Sequence, residues 1–239
     1  MTDYASSAQN PALYDGVAGA WWDGSVRWVR TLQAMVPARL RFFERTTPDW
    51  GGLDVLDLGC AGGFMAEALA RKGARVRGLD PAADAVAAAR AHAAAEGLSI
   101  DYGVGVGEAL PYPDAAFDAV VCVDVLEHVR DLGQVLAEVR RVLRPGGVFH
   151  FDTINANPVA AFAVKTVAED VLGLLPKGAH DPELFIRPRD LRAALTGLGF
   201  APGPFSGLGP AGIDRRGDIR FGILPSTAII YIGSAAAPG

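Results

Sequence analysis

From residue 53 onward the chain alternates between two periodicities: short apolar runs of strand length, then longer stretches with helical spacing. Leu53-Asp54-Val55-Leu56-Asp57-Leu58 reads as a first strand that ends in a glycine-rich turn. A helix over 64–72 follows, with Gly73 just past its end, where a left-handed residue closes a helix. The same rhythm predicts a strand at 75–79, an alanine-rich helix at 82–96 closed by Gly97, and a strand at 100–104. Residues 117–123 are almost continuously apolar, as a strand buried on both faces should be. A helix at 132–143 is stopped by Arg144-Pro145-Gly146-Gly147, and a fifth strand covers 148–153. Residues 155–187 interrupt the pattern as an insertion. A helix at 191–198 resumes it, and the segments from Phe200 and at 227–232 supply two last strands.

Strict alternation of strands and helices implies an α/β fold with a mostly parallel sheet and right-handed crossovers. Before it, residues 1–50 carry Tyr14, Trp21, Trp22, Trp28, Phe42, Phe43 and Trp50, which suit helices packing over the domain as an N-terminal cap. The expected organisation is a helical cap over 1–50, a main domain over 51–233 containing the 155–187 insertion, and a frayed tail at 234–239.

Composition narrows the function classes. A chain of 239 residues is long enough for one α/β domain with a real core. A net charge of −5 argues against nucleic acid as the main partner, because phosphate binding needs a dense basic face. It also weakens electrostatic anchoring to an anionic membrane. Cys60 and Cys122 both sit in apolar surroundings and read as small buried hydrophobes, so no disulfide framework is implied. Met1-Thr2-Asp3-Tyr4 shows no basic patch followed by an apolar run, and no stretch approaches the ~20 apolar residues of a spanning helix. The expected address is the cytoplasm.

The turn Asp57-Leu58-Gly59-Cys60-Ala61-Gly62-Gly63 lies between a strand and a helix. Its glycines let the backbone approach a ligand, and the helix N-terminus offers free N–H groups to an anion. An acid two residues before the first glycine would repel a pyrophosphate. It suits the ammonium and sulfonium charges of S-adenosylmethionine (SAM), whose carboxylate would be the anion. Asp80, in Gly78-Leu79-Asp80-Pro81, follows Gly59 by 21 residues, which puts a carboxylate at the adjacent strand tip for both ribose hydroxyls. The loop Gly105-Val106-Gly107-Glu108-Ala109 after the third strand is placed near the adenine, where Glu108 or its neighbours' N–H groups would read the amino edge. Val123-Asp124 should border the methionine arm.

Val55-Leu56-Asp57-Leu58-Gly59-Cys60, Val123-Asp124-Val125-Leu126-Glu127-His128-Val129, Leu143-Arg144-Pro145-Gly146-Gly147 and Thr153-Ile154-Asn155 together resemble the class I SAM methyltransferases. More narrowly, Leu175-Pro176-Lys177-Gly178-Ala179-His180-Asp181 followed by Phe185-Ile186-Arg187-Pro188 resembles the ubiquinone-biosynthesis O-methyltransferases, and Tyr14-Asp15 with Trp21-Trp22-Asp23 points the same way. The resemblance implies a Rossmann-like domain with a seven-stranded, mostly parallel sheet flanked by helices, and methyl transfer from SAM to a hydroxyl of a phenolic acceptor of catechol or hydroquinone type. It implies SAM contacts at Arg39, Gly59, Asp80 and Val123. Cys60, Ala61, Gly62 and Pro81 complete the expected cofactor set with Asp57, Glu108 and Ala109. The chain departs from the family at Ala61, where a glycine is usual, and at Gln33, Val36 and Pro182.

Asp124, Glu127 and His128 stand at i, i+3 and i+4, so one helical turn would place them on a single face at the end of a central strand. Two carboxylates and an imidazole can hold Mg²⁺, Mn²⁺ or Zn²⁺, and members of the resembling family use the matching positions in this way. A metal would acidify the acceptor hydroxyl and align it with the S–CH₃ bond. The other readings are metal-free acid–base work by His128 and simple capping of the next helix. His180 is a second candidate base or lid residue. His92 and His150 read as packing histidines. The insertion has few polar positions over 158–175, which suits an amphipathic helix covering the acceptor site; in the resembling family this region also touches membrane lipid, so a peripheral contact at the inner membrane face is implied. A methyltransferase of specialised metabolism and a non-catalytic SAM- or lipid-binding module are the competing functions.

Overall fold

The structure, a computed structural model, describes residues 11–239. The first ten residues of the expected cap, including the Met1–Tyr4 stretch, lie outside the described residues. Five strands run parallel: β1 (Asp54–Leu58), β2 (Arg75–Asp80), β3 (Ile100–Val104), β4 (Phe117–Cys122) and β5 (Leu143–Ile154). The short β6 (Ala201–Pro202), β7 (Ser206–Ile213), β8 (Ile219–Leu224) and β9 (Ile230–Ala236) complete the sheet in antiparallel pairings. The order is β3-β2-β1-β4-β5-β9-β7-β8, with β6 on β9.

Helices cover both faces. On one side lie α2 (Arg27–Phe43), α3 (Phe64–Ala70) and α4 (Ala83–Ala95), which bury Met35, Phe43, Leu69 and Val86 against the sheet. On the other lie α5 (Leu132–Val142) and α7 (Pro188–Gly197), which bury Leu136, Val139, Leu191 and Leu195. The short α1 (Pro11–Asp15) reaches across to α4, whose N-cap Ala82 has no capping side chain. Asp15 supplies that cap from a distance by accepting from the Asp84 and Ala85 amides at 2.8 and 3.2 Å.

The α/β architecture with a parallel core and flanking helices agrees with the expected class. Among the described residues the sheet has nine strands, however, not seven. The strand expected from Phe200 is a two-residue β6, and the hairpin of β7 and β8 was not anticipated. That hairpin turns at Asp214–Gly217 and packs Phe221 and Ile223 toward α2, with Arg30 and Asp218 forming a 2.8 Å ion pair across the seam. The tail expected to fray is also ordered: β9 continues through Ala236, Ser234 and Ala235 are buried, and the Ala237 amide donates to Gly147 O at 2.7 Å. Small residues make this possible. A side chain at Gly233 would meet Phe151 and Phe205 at 2.7 Å.

The strand order reverses between β1 and its two neighbours, β2 and β4. In open α/β sheets the crevice beyond such a switch point is where ligands bind.

Candidate active site

At that switch point a cleft of about 1140 Å³, counting its open mouth, lies over the carboxyl ends of β1, β2 and β4. Its floor is the glycine turn. Gly59 has a φ of 78°, and a Cβ there would stand 2.1 Å from Val125 Cγ2. Gly62 is equally closed to larger residues, because its Cβ position lies 2.0 Å from Trp21 Nε1. Gly62 therefore shapes the loop from behind while Gly59, Cys60 and Ala61 line the cleft. Trp21 packs at 5.6 Å on Phe64, the first residue of α3, and with Tyr14 forms an aromatic wall contributed by the N-terminal region. These aromatics explain what the cap packs over.

Register places the acids. Leu58 pairs with Leu79, so Asp57 and Asp80 end up on neighbouring strand tips. Asp57 is 1% exposed, and among the described residues neither carboxylate oxygen has a partner at full hydrogen-bond geometry. Burial pushes its pKa up to about 7; the Ala66 backbone opposes the rise, the Asp80 charge adds to it, and Arg39 pulls down. Asp80 accepts from the Ala82 amide at 2.8 Å and the Ala61 amide at 2.9 Å, tying the glycine turn to the second strand. Burial raises its pKa to about 6. Pro81 and Val123 also line the cleft. The loop after β3 reaches it through Gly105, Val106 and Gly107, earlier in the chain than the expected Glu108 and Ala109. The Glu108 carbonyl instead accepts from Gln134 at 3.2 Å, and the Ala109 amide turns back to Val106 O.

Arg39 enters from α2, 3% exposed, and lines the cleft as the resemblance implied. Its guanidinium meets two acids: Nε donates to Asp152 at 2.6 Å and Nη2 to Asp124 at 2.5 Å. Burial works against the charge, but Asp124 and Asp152 hold the guanidinium above its ordinary range. Asp152 was not foreseen; a single acid amid Phe149-His150-Phe151 was the available signal.

The expected set of Asp124, Glu127 and His128 does not close into one ligand group. Asp124 adopts φ 54°, a left-handed turn, and its carboxylate is engaged by Arg39, while a single 3₁₀ turn over Leu126–His128 carries the other two; Asp124 and His128 line the same cleft, but Asp124 is not in the ligand-distance group. Glu127 and His128 instead join His180 from the insertion, and one ligand atom from each of the three lies within 4.8 Å of the others. Glu127 is buried, accepts from Thr153 Oγ1 at 2.6 Å through Oε2, and leaves Oε1 without a partner. Burial, then the Asp124 charge, raises its pKa well above the carboxylate range.

His180 is oriented by Glu169, another unforeseen residue. Glu169 lies on a π-helical stretch, Phe162–Val171, which continues α6 (Pro158–Ala161). Its carboxylate meets His180 Nδ1 at 2.7 Å, accepts the Gly178 amide at 2.8 Å and pairs with Lys165 at 3.1 Å. Burial opposes ionisation, but these donors win and hold its pKa below the ordinary value. An ionised Glu169 only accepts, so His180 Nδ1 carries a proton and Nε2 presents a lone pair. A carboxylate behind an imidazole is also the usual support of a metal-ligating histidine. One buried carboxylate oxygen without a partner and two imidazoles form a donor set that fits a divalent transition metal.

The remaining histidines are structural, as expected. His92 stacks on Trp22 at 3.7 Å, and His150 is bonded by Thr47 and Ser234, with burial lowering its pKa to about 3. Both cysteines are buried and unpaired.

A glycine turn beneath a switch-point crevice, with acids on two adjacent strand tips, defines the class I SAM-dependent methyltransferases. The methyltransferase domain family matches residues 56–151. The chain is 36% identical to the ubiquinone biosynthesis O-methyltransferase of Methylobacterium sp., covering 97% of this chain and 95% of that protein. It is 38% identical to the enzyme of the same name from Idiomarina loihiensis, over 75% of this chain and 74% of that one. The protein belongs to the ubiquinone biosynthesis O-methyltransferases, and SAM is its methyl donor. Solved structures share the fold at lower identity. A SAM-dependent methyltransferase from Thermotoga maritima matches with a TM-score of 0.65 at 14% identity, covering 94% of this chain and 97% of that one. The [4+2]-cyclase SpnF matches with 0.67 at 23%, over 98% and 96%. A cyclase shares the scaffold, so the site and not the fold sets the reaction. Among the described residues no helix is long and apolar enough to cross a membrane.

Proposed function

We propose that the protein methylates a hydroxyl of a catechol- or hydroquinone-type precursor in ubiquinone biosynthesis, with the acceptor oxygen held at Glu127, His128 and His180. The observation that carries this reading is that His128 belongs both to this cluster and to the wall of the glycine-turn cleft. In the cleft, Asp80 serves the ribose hydroxyls, Asp57 the cationic methionine end, and Gly105–Gly107 the adenine. Transfer forms the O–CH₃ bond as the S–CH₃ bond breaks, and the electron pair stays on sulfur as a neutral thioether. The phenolic proton goes to His180 Nε2, whose lone pair Glu169 keeps pointed into the cluster. A divalent metal held by Glu127 Oε1, His128 and His180 Nε2 would occupy that lone pair instead of the proton, and would supply Lewis-acid lowering of the hydroxyl pKa, with the phenolic proton released to solvent. Alignment of donor and acceptor carries much of the remaining barrier.

Beside the cluster, Leu126, Leu132, Leu184, Phe185 and Ile186 line one side of a second groove whose rim also carries Arg130, Glu183, Arg187 and Asp190, and Val129 lines both spaces. The apolar side of this groove gives the acceptor's apolar substituent a path away from the reacting hydroxyl. On the insertion, Val159, Phe162, Val171 and Leu172 are exposed together, Phe162 at 62% and Val171 at 70%. That face suits peripheral contact with lipid, while Glu169, Ala179 and His180 of the same insertion cover the site. Lid and lipid contact thus coexist. Of the departures from the family pattern, Gln33 and Pro182 are exposed, while Val36 and Ala61 line the cleft, Ala61 within the cofactor turn, so the pocket offers little support for a different acceptor class.

The test is methyl transfer from SAM to a polyprenyl catechol and to a hydroquinone, with and without a chelator. Transfer is expected to at least one, and its loss on chelation with recovery on adding Mg²⁺, Mn²⁺ or Zn²⁺ would assign the cluster to a metal. Binding of SAM with no transfer to any catechol or hydroquinone would overturn the acceptor reading.

A further inference from the structure

Asp152 lies inside β5, fully buried between Phe151 and Thr153 of a central strand. A carboxylate in such a place costs several kcal/mol unless donors surround it. Its donors come from two other elements that meet at the cleft. Arg39 of α2 gives Nε at 2.6 Å and Nη2 at 3.2 Å, and the Asp124 backbone amide, just beyond β4, donates at 2.8 Å. The last bond pins Asp124 in a left-handed conformation that residues with a Cβ avoid. The Asp124 carboxylate is thereby turned onto Arg39 Nη2, and both side chains line the cleft. One acid is enough to neutralise a buried guanidinium. The second, 22% exposed at its side chain, is surplus to that need and leaves the group with one excess negative charge.

We propose that Asp152 is a positioning residue that presets Arg39 and Asp124 as a two-pronged receptor for the amino-acid end of SAM. Arg39 takes the α-carboxylate, and Asp124 shares the cationic methionine end with Asp57 by taking its α-ammonium, so the ion pair between Arg39 and Asp124 is exchanged for two pairs with the ligand. The exchange keeps every charge partnered, and the excess negative charge faces the sulfonium. This inference rests on the reading of the cleft as the SAM site.

The test compares two nucleosides by calorimetry: S-adenosylhomocysteine, which has the amino-acid end, and methylthioadenosine, which lacks it. The wild-type protein should prefer the first. Asp152→Asn is expected to weaken S-adenosylhomocysteine binding by about tenfold while methylthioadenosine binding stays within about twofold. Asp124→Asn, which leaves Asp152 and Arg39 in place, should show the same selective loss and decides the matter alone if Asp152→Asn does not fold. Equal loss for both nucleosides, or no loss for either, would overturn the inference, because a merely structural acid cannot tell them apart. If the wild-type protein bound neither nucleoside, the cofactor-site reading itself would fall first.

Discussion

Ala61 occupies the third position of the glycine turn with φ 41°, on the left-handed side where its methyl group crowds the backbone. That strain costs about 1–2 kcal/mol, more than the roughly 0.5–1 kcal/mol of extra entropy a glycine loses on folding. Ala61→Gly should therefore raise stability by about 0.5–1 kcal/mol in urea unfolding without weakening SAM binding, since the Ala61 amide keeps its bond to Asp80. Asp57 gives a pH prediction. Its pKa near 7 means that the ligand-free carboxyl is protonated below neutrality, whereas a cationic ligand selects the carboxylate. Binding then expels a proton: affinity for SAM should be flat above pH 7 and fall by up to about tenfold per pH unit beneath it. Asp57→Asn should weaken binding and remove most of that slope, leaving the smaller contribution of Asp80 near pH 6. An unchanged slope in the variant would assign the proton elsewhere. Both strand-tip acids were legible in the sequence because strand, turn and spacing fixed them. Asp124 was only half legible: its place at the end of β4 was correct, but a helical turn was assumed where the chain makes a left-handed one.

Among the elements, the insertion is the one whose sequence and structure diverge most instructively. Its apolar positions predicted a covering amphipathic helix, and α6 with the π-helical stretch that continues it is helical over 158–171 and carries Glu169 to His180. What periodicity could not show is that Glu169 points inward and fixes His180, eleven residues away, because that contact depends on the loop between them folding back. Glu169→Ala should lower kcat by about ten- to a hundredfold, as loss of a histidine's supporting carboxylate does, with S-adenosylhomocysteine affinity unchanged. The outer face of the same element makes a separate prediction. Phe162→Asp should reduce co-sedimentation with vesicles while leaving turnover of a short soluble catechol intact, since Phe162 is exposed and touches none of the site. The second groove can be tested apart from both: Leu184→Glu should raise KM for long-tailed acceptors and leave short ones unaffected. The β7–β8 hairpin escaped the sequence reading because its glycine-rich strands have weak alternation, and only the Asp214–Gly217 turn marked it.

For the whole molecule, the cleft is built from parts distant in sequence: Tyr14 and Trp21 from the N-terminal region, Arg39 from α2, the turns after β1 to β4, and Ala179 from the insertion. A ligand that joins them should stabilise the entire fold, by about 2.7 kcal/mol at a hundred times its Kd, which a rise in thermal midpoint with S-adenosylhomocysteine would register. The sequence by itself determined the alternating α/β frame, the glycine turn and the acids at Asp57 and Asp80, because these follow from local periodicity and from register within one strand–turn–helix unit. The tertiary structure alone decided that Arg39 is shared between Asp124 and Asp152, that His180 rather than Asp124 completes the cluster with Glu127 and His128, and that β9 is buried from Tyr231 to Ala235. Each of those depends on side chains from separate elements meeting across the sheet, and neither hydrophobic period nor spacing along the chain encodes which distant partner a buried charge will find.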